Sequence, residues 1–118
     1  MDQNIHLGEF ERLLVVVILD LGEKASVAVI HREMEKRMGG AIPIQPMLSC
    51  LEHMAEKELL RSHADKNVLE PDGSHDRFFR VTPAGHEAFD KSVEYMRKIE
   101  NGEIPRPPFI ISSATLEN

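Results

Sequence analysis

Arg77-Phe78-Phe79-Arg80-Val81-Thr82-Pro83-Ala84-Gly85 changes its structural grammar halfway along. The first five residues are aromatic or β-branched between arginines, the composition of a strand. Thr82 then offers a hydroxyl to the unpaired N–H groups of a helix start, and Pro83 suits the first helical position, where no hydrogen bond is lost. A strand therefore runs straight into a helix. Upstream, Asp65 to Asp76 is polar and contains Pro71-Asp72-Gly73-Ser74, a turn sequence. Before it, Leu59 and Leu60 break into polar alternation. The spacing predicts a hairpin of Leu59 to Asp65 with Asp76 to Val81, closed by a long tip.

Three helical patterns precede the hairpin. Residues 7 to 20 carry Phe10, Leu13, Leu14, Val17 and Ile18, with Leu21 beyond, at spacings of three and four; Gly22 ends them. From Ala25 to Met38 a stripe of Val27, Ile30, Met34 and Met38 predicts a second helix, and Gly39-Gly40 is its stop. A third begins near Ile44, with Leu48, Leu51 and Met54 in register and Pro46 in the first turn, where proline is tolerated. The last helix runs from Pro83 to about Glu100 through Ala88, Phe89, Val93, Tyr95, Met96 and Ile99. Asn101 to Asn118 has no helical period and holds Pro105, Pro107 and Pro108. This tail is expected to be extended or disordered, apart from the apolar cluster Phe109-Ile110-Ile111.

The whole chain of 118 residues suits one compact domain. Its 42% hydrophobic content is enough for a packed core. A lone Cys50 excludes an intramolecular disulfide framework and fits a reducing compartment. The run Leu13 to Leu19 is far shorter than the roughly 20 residues that cross a bilayer, so no membrane association is expected. Met1 to His6 carries acid where a secretory signal carries Lys or Arg, which predicts a cytoplasmic protein. With 14 Lys+Arg against 20 Asp+Glu, the net charge of -6 excludes nucleic-acid binding through bulk charge and leaves room only for a local basic face.

Helix, helix, short turn, helix, hairpin, helix is the order of a winged helix-turn-helix. Leu7-Gly8-Glu9-Phe10-Glu11, the first helix closing on Leu19-Asp20-Leu21-Gly22, the stretch Leu51 to Leu60, and Arg77 to Gly85 together resemble the PadR-type transcriptional regulators over residues 7 to 100. The resemblance implies a mostly α fold with a small β-hairpin wing and a C-terminal dimerisation helix. It divides the chain into a winged helix-turn-helix DNA-binding domain at 1–82, a dimerisation helix at 83–101 and a tail at 102–118. It further implies a homodimeric repressor whose third helix meets double-stranded operator DNA, and a cavity near the dimer interface that admits a small aromatic or drug-like inducer. The chain departs from the family where a Tyr of the third helix is Leu48 and where the Gly before the first strand is Glu58.

The residues expected at DNA are Arg32 and Lys36 on the second helix, Gln45, Ser49 and His53 on the third, and Lys66 and Arg77 at the wing, with Arg37 and Arg80 nearby. Gln45 and Ser49 lie one turn apart and suit base edges or phosphates. Acids interleave them: Glu52, Glu56 and Glu58 after the helix start, and Asp65, Glu70, Asp72 and Asp76 around the wing. This supports the alternative of a winged-helix protein-interaction or dimerisation module without operator binding. Phe89, Val93, Met96 and Ile99 are the expected dimerisation residues, because they exceed what a lone terminal helix can bury. Cys50, His53, His63 and His75 do not have the spacing of a paired-cysteine knuckle, so a structural cysteine, surface histidines and no metal are expected. No nucleophile elbow, phosphate-cradling glycine loop or His-Glu-x-x-His is present, so no enzyme and no cofactor are expected. Met34, Met38, Met47 and Met54 read as core, and as adaptable lining for an inducer.

Overall fold

The computed structural model describes residues 7–69 and 75–104, with side-chain detail at all of these except 65–69 and 75–76. Helix α1 spans Glu9–Leu21 and a 3-10 turn spans Gly22–Lys24. Helices α2 (Val27–Met38) and α3 (Ile44–Glu56), strands β1 (Leu60–Leu69) and β2 (His75–Val81), and helix α4 (Pro83–Glu100) follow. The described residues are mostly helical with one antiparallel hairpin, an arrangement compatible with a winged helix. The amino end, the wing tip Pro71 to Ser74 and the tail from Pro105 onward lie outside the described residues.

Helix α1 is the centre of the core because α2, α4 and β2 all pack on it. Leu14, Val17 and Ile18 are buried as their spacing requires, and Val15, off that stripe, is buried too because the helix is covered on several sides. The helix starts at Glu9 rather than at residue 7. Leu7 is withheld from it: its N–H donates to Ser92 Oγ at 2.8 Å, while Gly8 caps the helix and donates to Glu11 Oε1 at 2.9 Å. Likewise α2 starts at Val27 rather than Ala25. Phe79 N–H donates to Ala25 O at 3.0 Å and Ser26 bridges Phe78, so these two residues lengthen the sheet before Ser26 Oγ caps the helix.

Ile30 and Met34 are buried on α2, but Met38 is 52% exposed because the last turn extends past the core. On α3 the buried line is Met47, Leu51 and Met54, with Leu48 half-buried beside it. In the hairpin, Leu60 pairs with Val81 and Ala64 with Arg77, and the register shifts before Leu69 meets His75. Both strands run further than their apolar residues do. Backbone pairing satisfies N–H and C=O groups whatever the side chains are, so the ladder continues past the core. Leu60 and Phe79 are the buried residues of its inner face.

The junction into α4 brings the helix start against the backbone of the turn into β1. Thr82 Oγ1 donates to Glu58 O at 2.6 Å and accepts from Gly85 N–H at 3.0 Å, while Thr82 N–H donates to Leu59 O at 3.1 Å. A Cβ on Gly85 would stand 2.1 Å from Leu59 O, so only glycine allows this approach. Helix α4 then buries Ala88, Ser92 and Ile99, and packs Phe89 against the core.

Candidate nucleic-acid interface

The turn between α2 and α3 is held by two side chains one helical turn apart. His31 Nε2 lies 2.6 Å from Ile42 O and 3.4 Å from a Glu35 carboxylate oxygen, and Glu35 Oε2 accepts from Ile42 N–H at 2.9 Å. Ile42 O and the carboxylate both only accept, so Nε2 carries the hydrogen. Both backbone polar groups of Ile42 are thereby satisfied from α2, which sets the angle at which α3 leaves the turn.

With Met47, Leu51 and Met54 turned inward, α3 exposes Gln45, Ser49 and His53 on its outer face. The 3.6-residue period places Glu52 and Glu56 among them. All five are exposed, so the outer face combines hydrogen-bonding groups with two carboxylates.

Arg77 joins the hairpin to this helix. Its Nη1 donates to Glu52 Oε2 at 3.0 Å, its Nη2 to Ser62 Oγ at 3.4 Å, and its guanidinium lies 5.2 Å from the centre of the Phe79 ring. Expected as a phosphate ligand, it is already engaged by a carboxylate of α3. On α2, Arg32 is exposed, and Lys36 is exposed with Glu33 at 3.8 Å. Arg37 is held by Asp20 at 2.9 Å and by Glu33 at 3.0 Å; these hydrogen bonds, Asp20 first, raise its pKa. The side chain of Lys66 lies outside the described residues.

The pairing register adds Arg61 and Phe78, which the sequence reading left out of the candidate site. Arg61 stands opposite Arg80, and His63 stacks on Phe78 with ring centres 5.7 Å apart. These four alternate with the core-facing residues and so share the outer face of the hairpin. Arg80 has Glu23 at 3.9 Å. The alternation Leu60-Arg61-Ser62-His63 was the available signal for Arg61, but its partner across the sheet depends on the hairpin register.

Of the expected dimerisation residues, Ile99 is buried within the chain and Phe89 packs on its core, Met96 is half-buried, and Val93 is 46% exposed. Met34, Met47 and Met54 fill the core rather than line a cavity. Burial, assisted by Glu11, pushes the Cys50 thiol up to about 11, so at neutral pH it is protonated. Among the described residues no group of three or more His, Cys, Asp or Glu is arranged to hold a metal ion. No described helix is long and apolar enough to cross a membrane. Compared with protein-family models, with curated proteins and with solved structures, the chain has no significant match.

Proposed function

We propose that the chain is a DNA-binding transcriptional regulator of PadR type, a homodimeric repressor with α3 as its recognition helix, released by a small aromatic or drug-like inducer. The observation that carries this reading is the outer face of α3. Gln45, Ser49 and His53 stand exposed along it, on a helix whose start is locked by His31 and Glu35 and whose flank is tied to the hairpin by Arg77. A helix so held presents short polar groups at fixed spacing, which is what reading base edges requires.

The test is a gel shift, followed by binding isotherms, with the duplex flanking the protein's own gene and a scrambled duplex at two salt concentrations. Lys36→Ala and Lys66→Ala should weaken binding to every sequence, whereas Gln45→Ala and Ser49→Ala should alter preference among sequences. A second reading is favoured by Glu52 and Glu56, which share the same face and repel phosphate: a winged-helix module that binds another protein. No affinity above the scrambled control, unchanged when both acids become Gln, would decide for that module.

A further inference from the structure

Strand β2 is met on both sides and β1 on one. Phe79 N–H donates to Ala25 O at 3.0 Å and Ser26 bridges Phe78, so the far side of β2 is taken. The same bonds fix the parity of β1. Thr82 N–H donates to Leu59 O at 3.1 Å and Phe79 N–H points away from β1, so the pairs of Leu60 with Val81 and Ser62 with Phe79 exchange no backbone hydrogen bonds. The unbroken register carries the alternation on to Ala64. Leu60, Ser62 and Ala64 therefore turn their N–H and C=O groups away from β2, to an edge that no strand among the described residues meets. A groove of about 550 Å3 lies against this part of β1, and its walls include Ala55 at the end of α3 and Pro83 and Ala84 at the start of α4.

We infer that the free edge of β1 takes an extended peptide of another protein as an added strand, with an acidic side chain beside Arg61 and apolar side chains in the groove. Main-chain pairing with Leu60, Ser62 and Ala64 supplies the attachment, and alternate side chains supply the selection. The acid is set by charge. Arg61 stands opposite Arg80, and like charges directly across a sheet repel. Arg80 has exposed Glu23 at 3.9 Å, whereas Arg61 has no ion pair with a described residue. A carboxylate on the incoming strand, next to Arg61 on the same face, relieves that repulsion. On the other face, Ala55, Pro83 and Ala84 offer small apolar walls, with Glu58 at the turn into β1.

Two other occupants fit less well. The edge presents donors and acceptors together, and a peptide backbone matches both; the phosphate backbone of a nucleic acid offers acceptors alone and leaves the carbonyls of Ser62 and Ala64 unpaired. A second copy of the chain would satisfy the backbone equally. Pairing β1 with β1 about a twofold axis, however, puts Arg61 and Arg80 of both copies on one face, which multiplies the repulsion. The inference uses neither α3 nor DNA, so its failure leaves the proposed regulator untouched.

The test adds a short capped peptide of alternating Glu and Val to the full chain and follows amide hydrogen exchange by NMR. Exchange at Ser62 and Ala64 should slow at least about tenfold, while Arg61 and His63, already bonded to β2, should not change. Arg61→Glu should weaken this peptide about tenfold and favour one of alternating Lys and Val. Arg61 is exposed, so its replacement leaves the core untouched. Methylating the nitrogens of every second peptide residue should abolish binding for one alternate set and spare the other, because only one set faces β1. No binding, or binding without protection of Ser62 and Ala64, overturns the proposal. So does protection of these two amides by rising protein concentration alone, which would put a second copy on the edge, and so does tighter binding of an oligothymidylate to Arg61 and Arg80, which would assign the face to nucleic acid. Should Arg61→Glu fail to fold, the methylated peptides decide alone.

Discussion

Ser92 Oγ accepts a hydrogen bond of 2.8 Å from Leu7 N–H, across 85 residues of sequence. Both residues are buried, so the bond satisfies a donor that water cannot reach, and it fastens α4 to the residue from which α1 departs. Ser92→Ala should cost about 1–3 kcal/mol, because it strands the Leu7 N–H rather than merely removing a weak bond. Urea unfolding of the two proteins measures it. An unchanged midpoint would mean that the Leu7 N–H finds another partner.

The turn into β1 contains the opposite situation, a residue the backbone does not favour. Glu58 has φ 64 and an exposed side chain, while its carbonyl is held by Thr82. A left-handed non-glycine residue is strained by about 1–2 kcal/mol. Glu58→Gly should therefore stabilise the protein by about 1 kcal/mol after glycine's larger entropy loss is deducted. Gly85→Ala should do the reverse and cost about 3 kcal/mol, since its methyl would collide with Leu59 O unless α4 moves off the hairpin. Thermal melts of both variants check the opposite signs.

These junctions also mark where sequence reading stopped. The helices were legible because Leu14, Val17 and Ile18, or Leu48, Leu51 and Met54, repeat at helical spacing, although on α3 Met47 rather than Leu48 is the fully buried residue, and because Thr82-Pro83 and Gly39 are local start and stop signals. Ser92 was not legible. A serine on an apolar stripe signals burial only when its distant partner is known, and Leu7 lies at the other end of the chain. The same holds at the candidate site: exposure of Gln45, Ser49 and His53 follows from the period of α3, while the engagement of Arg77 by Glu52 and the facing of Arg61 and Arg80 depend on how the hairpin closes. Met38 was misread as core because periodicity does not say where a core ends.

Cys50 makes the stability of the fold depend on alkaline pH. Burial, with a smaller contribution from Glu11, raises its pKa from 9.0 to about 11. The folded protein therefore holds the thiol proton more tightly than the unfolded chain does. That contribution to stability is fully present below the unfolded value and declines as pH rises through the folded one. Between about pH 9 and 11 the wild type should lose stability relative to Cys50→Ser, whose hydroxyl does not titrate there. Urea midpoints at successive pH values give the difference, and parallel curves for the two proteins would refute the shift.

Val93 and Ile99 separate dimerisation from folding on one helix. Val93 is 46% exposed and Ile99 is 7% exposed, so only the first is available to a second copy of α4. Val93→Asp should leave the melting temperature nearly unchanged and weaken self-association at least about tenfold, the effect of 1.4 kcal/mol lost at an apolar contact. Ile99→Asp should instead unfold the chain by burying a carboxylate. Light scattering across a concentration series, with melts on the same samples, distinguishes these effects. A wild type that is monomeric at every concentration would remove dimerisation from the proposed function.

The pairing of Arg77 with Glu52 makes a prediction about DNA that the two charges considered separately do not. Each is partly exposed, so the pair contributes less than about 1 kcal/mol to stability, and breaking it should leave the fold intact. Its effect on phosphate is larger. Glu52→Gln removes a negative charge from the outer face of α3 and at the same time weakens the hold on Arg77. Glu56→Gln removes a charge without touching the Arg77 pair. Glu52→Gln should therefore strengthen binding more, and it should steepen the dependence of log affinity on log salt by about one phosphate contact. The double-mutant cycle isolates the cause. Arg77→Ala in the wild-type background should barely alter that slope, because Arg77 is occupied by the carboxylate, whereas in the Glu52→Gln background it should reduce the slope by about one. Isotherms for the four proteins on operator and scrambled duplexes at two salt concentrations provide all the terms. A slope that falls equally in both backgrounds would place Arg77 on phosphate already in the wild type, and the ion pair would then be one that DNA displaces on binding.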